Sequence, residues 1–141
     1  EVIIMKKKVS LILVAVFAVV ICAALLVNYK TDDLGKPAIC ISIDENGNCT
    51  GTATTFAADV EQVAFVCQRK KPFIGNATIS WYSDSDNNTP IKTETVSANK
   101  AGYYVSTFSQ EDGLTTGDYH AYIDISYALG SSKSVANFTV E

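Results

Sequence analysis

The sequence predicts an all-β fold, a seven- to eight-stranded antiparallel β-sandwich, preceded by one N-terminal transmembrane or signal helix. Three observations lead to this prediction. An uncharged, mostly apolar run occupies residues 9–27 of the 141-residue chain. Beyond it, apolar and polar residues alternate with a period of two, as in strands with one buried face. Clusters of Gly, Pro, Asn and Asp recur about every eight to twelve residues, a spacing typical of sandwich strands.

These patterns divide the chain into four segments. Residues 1–4 are interpreted as translated leader, because Glu-Val-Ile-Ile can be encoded by a ribosome-binding sequence just ahead of a start at Met5. A processed N-terminus like that of pilins is the alternative, and the three lysines after Met5 disfavour it. The remaining segments are an anchor or signal at residues 5–30, a linker at residues 31–37 and an extracytoplasmic β-sandwich at residues 38–141.

The apolar run predicts a single membrane span. At roughly 1.5 Å per residue, residues 9–27 just cross a hydrocarbon core of about 30 Å. The lysines at 6–8 keep their end in the cytoplasm, so we expect a single-pass protein of the cell membrane with its C-terminal domain outside. A retained anchor is favoured because the run is longer than the apolar core of a signal peptide. Cleavage near residues 22–24 and lipidation of Cys22 are the alternatives.

Eight strands are expected in the outer domain. Each lies between two turn clusters and is rich in Val, Ile, Thr, Tyr or Phe, the residues that favour strands. The expected strands are residues 38–43, 50–56, 61–68, 76–83, 91–97, 103–109, 118–127 and 133–140.

Alternation within these strands assigns side chains to two faces. The apolar members of each strand are expected to form a two-layer core, and the polar members of the seventh strand are expected to face solvent. The predicted solvent-facing residues are His120, Tyr122, Asp124 and Ser126. The predicted core residues are Val63, Phe65, Cys67, Ala77, Ile79, Trp81, Tyr119, Ala121, Ile123, Ile125, Ala136, Phe138 and Val140.

The stretch LTTGDYHAYIDI resembles the corner that enters strand F of immunoglobulin-like and fibronectin type III-like domains. Leu114, Gly117 and Tyr119 match the positions of that corner that belong to the structural core, where the Tyr hydroxyl bonds back to the backbone. The stretches VAFVC and ATISWY resemble strands B and C, with Cys67 and Trp81 at the core positions. SKSVANFTV resembles the last strand, so the likeness covers residues 61–140.

The resemblance departs from antibody domains at one position. Ala121 stands where the second core cysteine is expected, so the inter-sheet disulfide of those domains is absent. This favours the broader bacterial and archaeal immunoglobulin-like class. That class serves as spacers, adhesion modules, filament subunits and accessory domains, so the resemblance implies no reaction.

Three cysteines lie beyond the predicted membrane segment, where disulfides persist. Cys40 and Cys49 bracket the stretch ISIDENGN, and a bridge between them is favoured because it would staple a hairpin. A two-residue Asn-Gly turn, however, would pair Asp44 with Cys49 and leave Cys40 further along the ladder. A bridge from either residue to Cys67, and three reduced thiols, therefore stay open.

Four Asn-x-Thr triplets make the chain a candidate glycoprotein. In an extracytoplasmic domain each triplet is a glycan acceptor, although Thr is also an ordinary strand residue. The candidate acceptors are Asn48, Asn76, Asn87 and Asn137.

The sequence offers little that indicates chemistry. DENGNC and DSDNN alternate oxygen-bearing residues as calcium loops do, but neither continues as such a loop, and we interpret both as turns. His120 is the only histidine, and no nucleophile stands at a motif spacing from it. We therefore predict no metal, no cofactor, no catalytic residues and no enzymatic activity.

The favoured function is a binding, adhesion or envelope-structural role. From Thr31 onward seven basic and fourteen acidic residues give a net charge of −7, which disfavours nucleic acid. A protein or glycan partner is expected to bind loops or sheet edges, foremost the face around Tyr122 and the 84–90 loop. One alternative is a subunit of a surface filament or secretion assembly, with a weak helix seam of Ala15, Ala18, Cys22 and Ala23. Another is a solute-binding accessory domain.

Overall fold

The computed structural model describes residues 12–23, 32–72, 74–128 and 130–141. The chain divides into two compact units, Glu1–Asp32 and Asp33–Glu141. Residues 12–23 are helical and exposed. No helix among the described residues is long and apolar enough to cross a membrane. The rest of the predicted span and the predicted leader lie outside the described residues.

The second unit is an all-β sandwich, which confirms the predicted fold class at this level. Its described residues form ten strands: β1 (Ala38–Cys40), β2 (Ser42–Ile43), β3 (Cys49–Thr50), β4 (Thr55–Phe56), β5 (Gln62–Gln68), β6 (Ala77–Ser83), β7 (Lys92–Val96), β8 (Tyr103–Ser109), β9 (Gly117–Tyr127) and β10 (Gly130–Val140).

Two sheets face each other across the core, and a small hairpin lies beside them. One sheet has the order β1-β5-β8, the other the order β4-β10-β9-β6-β7, and β2 and β3 pair as the hairpin. All neighbours are antiparallel except β4, which runs parallel to β10. The predicted strands 38–43 and 50–56 are each split in two. After Cys40 the chain leaves the first sheet for the hairpin, and it then crosses to the second sheet at β4.

Trp81 lies at the centre of the interior and contacts aromatic rings from both sheets. Its ring stacks on Phe108 of β8 with centroids 5.6 Å apart. It meets the rings of Phe65 and Phe138 edge-on, at 6.4 Å and 6.1 Å. Each aromatic pair adds about 0.5–1.5 kcal/mol beyond the area that it buries. Trp81 therefore joins the two sheets.

A chain of hydrogen bonds begins at the buried Trp81 N–H, which it satisfies, and ends at the edge of the sandwich. Trp81 Nε1 donates to Ser106 Oγ at 2.8 Å, and the Ser106 hydroxyl donates to Glu94. Lys92 Nζ lies 2.9 Å from Glu94 Oε1. Burial opposes ionisation of Glu94, but the hydrogen bonds from Ser106 and Lys92 outweigh it and lower the Glu94 pKa. The network connects β8 of one sheet to β6 and β7 of the other.

The hairpin explains why β5 is buried on both faces, although its sequence predicts alternation. Ala64 and Val66 point away from the core, yet both are buried like Val63. The disulfide Cys40–Cys49, with Cα atoms 5.7 Å apart, holds the hairpin against this outer side, and Cys40 is itself fully buried. The favoured disulfide is thus confirmed.

The turn of the hairpin differs from the predicted two-residue turn. Cys49 pairs with Ile43 rather than with Asp44. The Asp44 carboxylate accepts the amides of Asn46 and Asn48 at 2.8 Å and 2.9 Å, which widens the turn. Gly47 has a φ of +83° and is buried close to the loop before β8, a position that favours glycine. The register therefore shifts by one residue.

The corner before β9 has the geometry that the sequence resemblance implies. Tyr119 Oη donates to the Thr115 carbonyl at 2.7 Å, and Leu114 is buried. Burial raises the pKa of Tyr119, so its hydroxyl stays a donor. Gly117, expected in the structural core, is instead exposed. Its φ of +145° shows that it serves the backbone turn rather than packing.

Residues 33–35 belong to the sandwich rather than to the predicted linker 31–37. The Gly35 amide donates to the Gln68 carbonyl at 2.8 Å, and Leu34 is buried. Asp33 forms a buried ion pair with Lys71, with Oδ1 and Nζ 2.6 Å apart. Tyr127 and Ser132 also donate to Asp33 Oδ2. These four side chains, here called the Asp33 cluster, attach the start of the sandwich to the end of the β9–β10 hairpin.

We expect Tyr119→Phe to lower the free energy of unfolding by about 1 kcal/mol, because the Thr115 carbonyl loses its donor in a half-buried place. Urea unfolding followed by Trp81 fluorescence measures this change. Tyr122→Phe is the matched control on the same strand, where the residue is exposed, and its effect should stay within about 0.5 kcal/mol. Equal effects of the two substitutions would show that the corner bond does not stabilise the fold.

The Asp33 cluster predicts a loss of stability in acid. Burial opposes ionisation of Asp33, but hydrogen bonds from Lys71, Ser132 and Tyr127 lower its pKa from 3.8 to about 2. A pKa that is lower in the folded state stabilises the fold above the unfolded value, and this contribution disappears as the pH falls through the folded value. Unfolding free energies should therefore drop by about 2 kcal/mol between pH 4 and pH 2.

Two substitutions separate this contribution from general acid destabilisation. Asp33→Asn should cost about 3 kcal/mol at neutral pH, because it leaves Lys71 buried without its counter-ion, and it should flatten the acid transition. Asp124→Asn removes the exposed ion pair with Lys133 and should change stability by less than about 0.5 kcal/mol. If the Asp33→Asn protein lost as much stability in acid as the parent protein, Asp33 would not be the cause of that loss.

Candidate functional site

The outer face of the five-stranded sheet is the best candidate for a functional surface. The pairing of β6 with β9 and of β9 with β10 sets Tyr82 opposite His120 and Ser80 opposite Tyr122. These side chains share the face opposite the core, because Trp81 and Ala121 between them are buried. A shallow groove of about 550 Å³ continues along the same face toward Asp124.

Three rings form a compact cluster on this face. The rings of Tyr82 and His120 stack with centroids 5.0 Å apart and an interplanar angle of 11°. Tyr122 meets both rings edge-on, at 6.1 Å and 5.2 Å. Tyr122 is 43% exposed, as the sequence predicts for the outward side of its strand. Tyr122 is therefore the member of this aromatic cluster that is most open to solvent.

His120 is held by a carboxylate. Its Nδ1 lies 2.6 Å from Asp84 Oδ1, and the Asp84 amide donates to the Asp118 carbonyl at 2.9 Å. The expectation that His120 is a solvated surface residue is wrong, since its side chain is only 15% exposed and packs against Tyr82 and Tyr122. With Nδ1 engaged, Nε2 is the nitrogen that remains to donate to or accept from a bound group.

Polar side chains line the groove beside the aromatic cluster. Lys133 Nζ and Asp124 Oδ2 form an ion pair at 3.0 Å, and the hydrogen bond to Asp124 raises the pKa of Lys133. Asn76, Thr78 and Ser80 add amide and hydroxyl groups along the groove. Because the two charges offset each other, this part of an otherwise acidic domain presents neutral hydrogen-bonding groups.

The 84–90 loop borders the aromatic cluster through Asp84. Asp86 Oδ1 accepts the amides of Asn88 and Thr89 at 3.1 Å and 3.3 Å, so its carboxylate caps its own turn. Asn87 is exposed at the tip of this loop. In the described part of the chain no group of three or more His, Cys, Asp or Glu side chains is placed to hold a metal ion.

All four sequon asparagines lie on the surface of the sandwich. Asn48 Nδ2 donates to Asp44 Oδ2 at 2.7 Å, and Asn76 Oδ1 accepts from Ser97 at 2.8 Å. Asn137 lies opposite His120 on β10, beside the aromatic cluster. These asparagines therefore differ in whether a neighbouring group already bonds to the side-chain amide. The four exposed residues are Asn48, Asn76, Asn87 and Asn137.

Cys67 is buried in the core position that the sequence predicts. Its thiol donates to the Gly35 carbonyl at 3.3 Å, and burial raises the pKa of Cys67 to about 11. A thiol with such a pKa is scarcely ionised at neutral pH and is therefore an inert core residue.

The sequence indicates part of this site but not all of it. The face of Tyr122 and the 84–90 loop were both predicted, but their junction through Asp84 and His120 was not. The two residues are 36 positions apart, and no spacing motif connects them. Tyr82 could have been found from the alternation of β6, because it follows the core residue Trp81 by one position.

Comparison with known proteins gives structural likeness only. No family model matches the chain, and no curated protein matches it. Superoxide reductase (neelaredoxin) from Ignicoccus hospitalis is similar, at 14% identity and a TM-score of 0.45, over 77% of this chain and 82% of that one. The β-glucuronidase of Parabacteroides merdae, at 9% identity and a TM-score of 0.49, matches over 77% of this chain and 14% of that one. An engineered protein, at 10% identity and a TM-score of 0.48, matches over 62% of this chain and 17% of that one.

These likenesses correct one prediction. The sequence predicts that the chain is not an enzyme, whereas the similar structures include a superoxide reductase of comparable length. A β-sandwich of this size does not by itself exclude catalysis, so that prediction does not stand. At 14% identity the likeness concerns the fold and transfers no activity to this chain.

Proposed function

We propose that this chain is a membrane-anchored, outward-facing β-sandwich module of immunoglobulin-like topology that binds a partner through its aromatic cluster. The observation that carries the proposal is the aromatic cluster itself, Tyr82, His120 and Tyr122, built on rigid strands and oriented by Asp84. Rings fixed in this way on an exposed sheet face add nothing to the core, whereas they give a binding surface with little entropy to lose.

Three features support the immunoglobulin-like assignment. Tyr119 closes the corner before β9, and Trp81 occupies the centre of the core. The sheet order places β5 and β8 on one sheet and β6, β9 and β10 on the other, as strands B and E and strands C, F and G are divided in domains of this topology. Loops and exposed faces carry function on this scaffold, so the fold class is compatible with a binding role.

The chemistry of the face favours a glycan as the partner. Ring edges and faces contact the C–H groups of a sugar, while Nε2 of His120 and the Tyr122 hydroxyl can bond to its hydroxyl groups. The groove continues with neutral polar groups, because Asp124 and Lys133 pair with each other.

We expect the full-length protein, in detergent, to bind envelope or cell-surface polysaccharide, and Tyr122→Ala to weaken that binding at least about tenfold, the loss of about 1.4 kcal/mol. Calorimetry or a glycan array measures the affinity. Ile41→Ala is the matched control, since Ile41 is an exposed apolar residue (52%) on the side of the molecule away from the aromatic cluster. Binding that Ile41→Ala weakens as much as Tyr122→Ala would place the site elsewhere. Binding only to proteins would overturn the choice of a glycan.

The proposal of a membrane anchor is supported by the composition and exposure of the N-terminal unit. Residues 9–27 carry no charge, and the described helix at 12–23 leaves its apolar side chains exposed, with Phe17 at 69%. Apolar surface of this extent is unfavourable in water and calls for lipid or other helices around it. The same exposure favours a second candidate function, a filament subunit whose helices pack together.

We expect Ala18→Arg, at the middle of the apolar run, to reduce the fraction of protein retained in carbonate-washed membranes. A central Arg makes insertion less favourable by about 2.5–3.5 kcal/mol. Ala57→Arg, at an exposed position of the sandwich, is the control and should leave retention unchanged. Retention that survives Ala18→Arg would contradict the anchor. A ladder of multimers in mild detergent would favour the filament subunit instead.

A further inference from the structure

Most of one edge of β10 has no strand of the described residues beside it. The Thr139 amide points away from β9 and donates to the carbonyl of Thr54, the residue before β4. Thr54 and β4 together are called the β4 segment. The register between β10 and β9 is continuous, so every second residue of β10 has the same orientation as Thr139. The residues that share this outward orientation are Ser131, Lys133, Val135 and Asn137. The described residues provide no hydrogen-bond partner for these backbone groups.

The opposite edge of the same sheet is protected, which sets the β10 edge apart. On β7, Lys92 and Glu94 lie opposite Trp81 and Ile79 and therefore point toward the core. Inward-pointing charges prevent another strand from pairing there, because pairing would bury them. On β10 the inward residues of the free stretch are small and uncharged. A groove of about 710 Å³ lies alongside Val135 and Asn137 and is also lined by residues 36–39 and 52–54.

We propose that this edge is a dimer interface, at which β10 pairs antiparallel with β10 of a second copy about a two-fold axis at Ser134. An antiparallel edge is self-complementary, since each outward N–H meets a C=O of the other copy. The β4 segment already occupies the edge at Thr139, so the partner strand ends at Asn137. The axis at Ser134 uses the whole free stretch, pairs Ser131 with Asn137 of the second copy, and forms about eight backbone hydrogen bonds.

Charge does not oppose a second copy at this edge. Each copy of the domain is strongly acidic and repels its like. The β10 edge carries one charged residue, Lys133, whose charge Asp124 of the same copy offsets. Across the interface Lys133 faces Val135 of the second copy rather than a like charge, and Ser134 faces Ser134. The same edge already accepts a strand from β4, so the new pairing continues an existing one.

Cross-linking of cysteine variants tests both the interface and its register. In full-length protein carrying Cys22→Ser, Ser134→Cys places two Cα atoms about 4.5 Å apart at a non-hydrogen-bonded pair, within the range of a disulfide. Lys133→Cys is the matched control. It is the more exposed position, but the register separates its two copies by more than about 7 Å, beyond that range. Oxidation should give at least about tenfold more linked dimer from Ser134→Cys.

A second variant guards against misfolding of the first. Val135→Pro removes an amide N–H that points outward, so it costs no bond to β9 and should leave the fold intact while it blocks pairing. Light scattering should show the parent as a dimer and Val135→Pro as a monomer, with Trp81 fluorescence unchanged. A parent protein that stays monomeric, or equal cross-linking at positions 133 and 134, would overturn the proposal.

Discussion

The packing of Trp81 between the two sheets is the constraint on which the rest of the structure depends. Its ring contacts Phe65 and Phe108 on one sheet and Phe138 on the other, so both sheets are positioned by one side chain. A buried indole N–H without a partner would cost about 1–3 kcal/mol. Ser106 removes that cost and passes the bond on to Glu94 at the sheet edge. The polar chain therefore fixes how far apart and in which register the sheets lie.

The same strands that bury Trp81 hold the candidate site. Alternation places Tyr82 directly after Trp81, and His120 and Tyr122 on either side of the buried Ala121. The site is therefore built on two interior strands of the five-stranded sheet, each paired on both sides, rather than on a long loop. Only Asp84 comes from a loop, and its amide bond to the Asp118 carbonyl fixes that loop to β9. This arrangement keeps the ring geometry constant before a partner binds.

Local pattern determined how much of this the sequence could predict. The strands 62–68, 77–83, 92–96 and 103–109 fall within a residue of the predicted bounds, because alternation and turn residues are local signals. The Asp33 cluster could not be predicted, since Tyr127 and Ser132 are 94 and 99 positions away. β5 is buried on both faces because the disulfide hairpin folds back over its outer side. Where the hairpin packs depends on tertiary contacts, which a local sequence pattern does not show. The Asp84–His120 pair was missed for the same reason.

The described chain covers one outer face of the sandwich and leaves the other uncovered, and this difference supports a function for the uncovered face. On the three-stranded sheet the chain uses the hairpin 42–50 and the Cys40–Cys49 disulfide to cover Ala64, so that face becomes additional core. On the five-stranded sheet nothing in the described chain covers the aromatic cluster. Stability alone favours covering apolar rings or replacing them by polar residues. An uncovered ring cluster, oriented by a carboxylate and bordered by neutral polar groups, is instead what recognition of a partner requires.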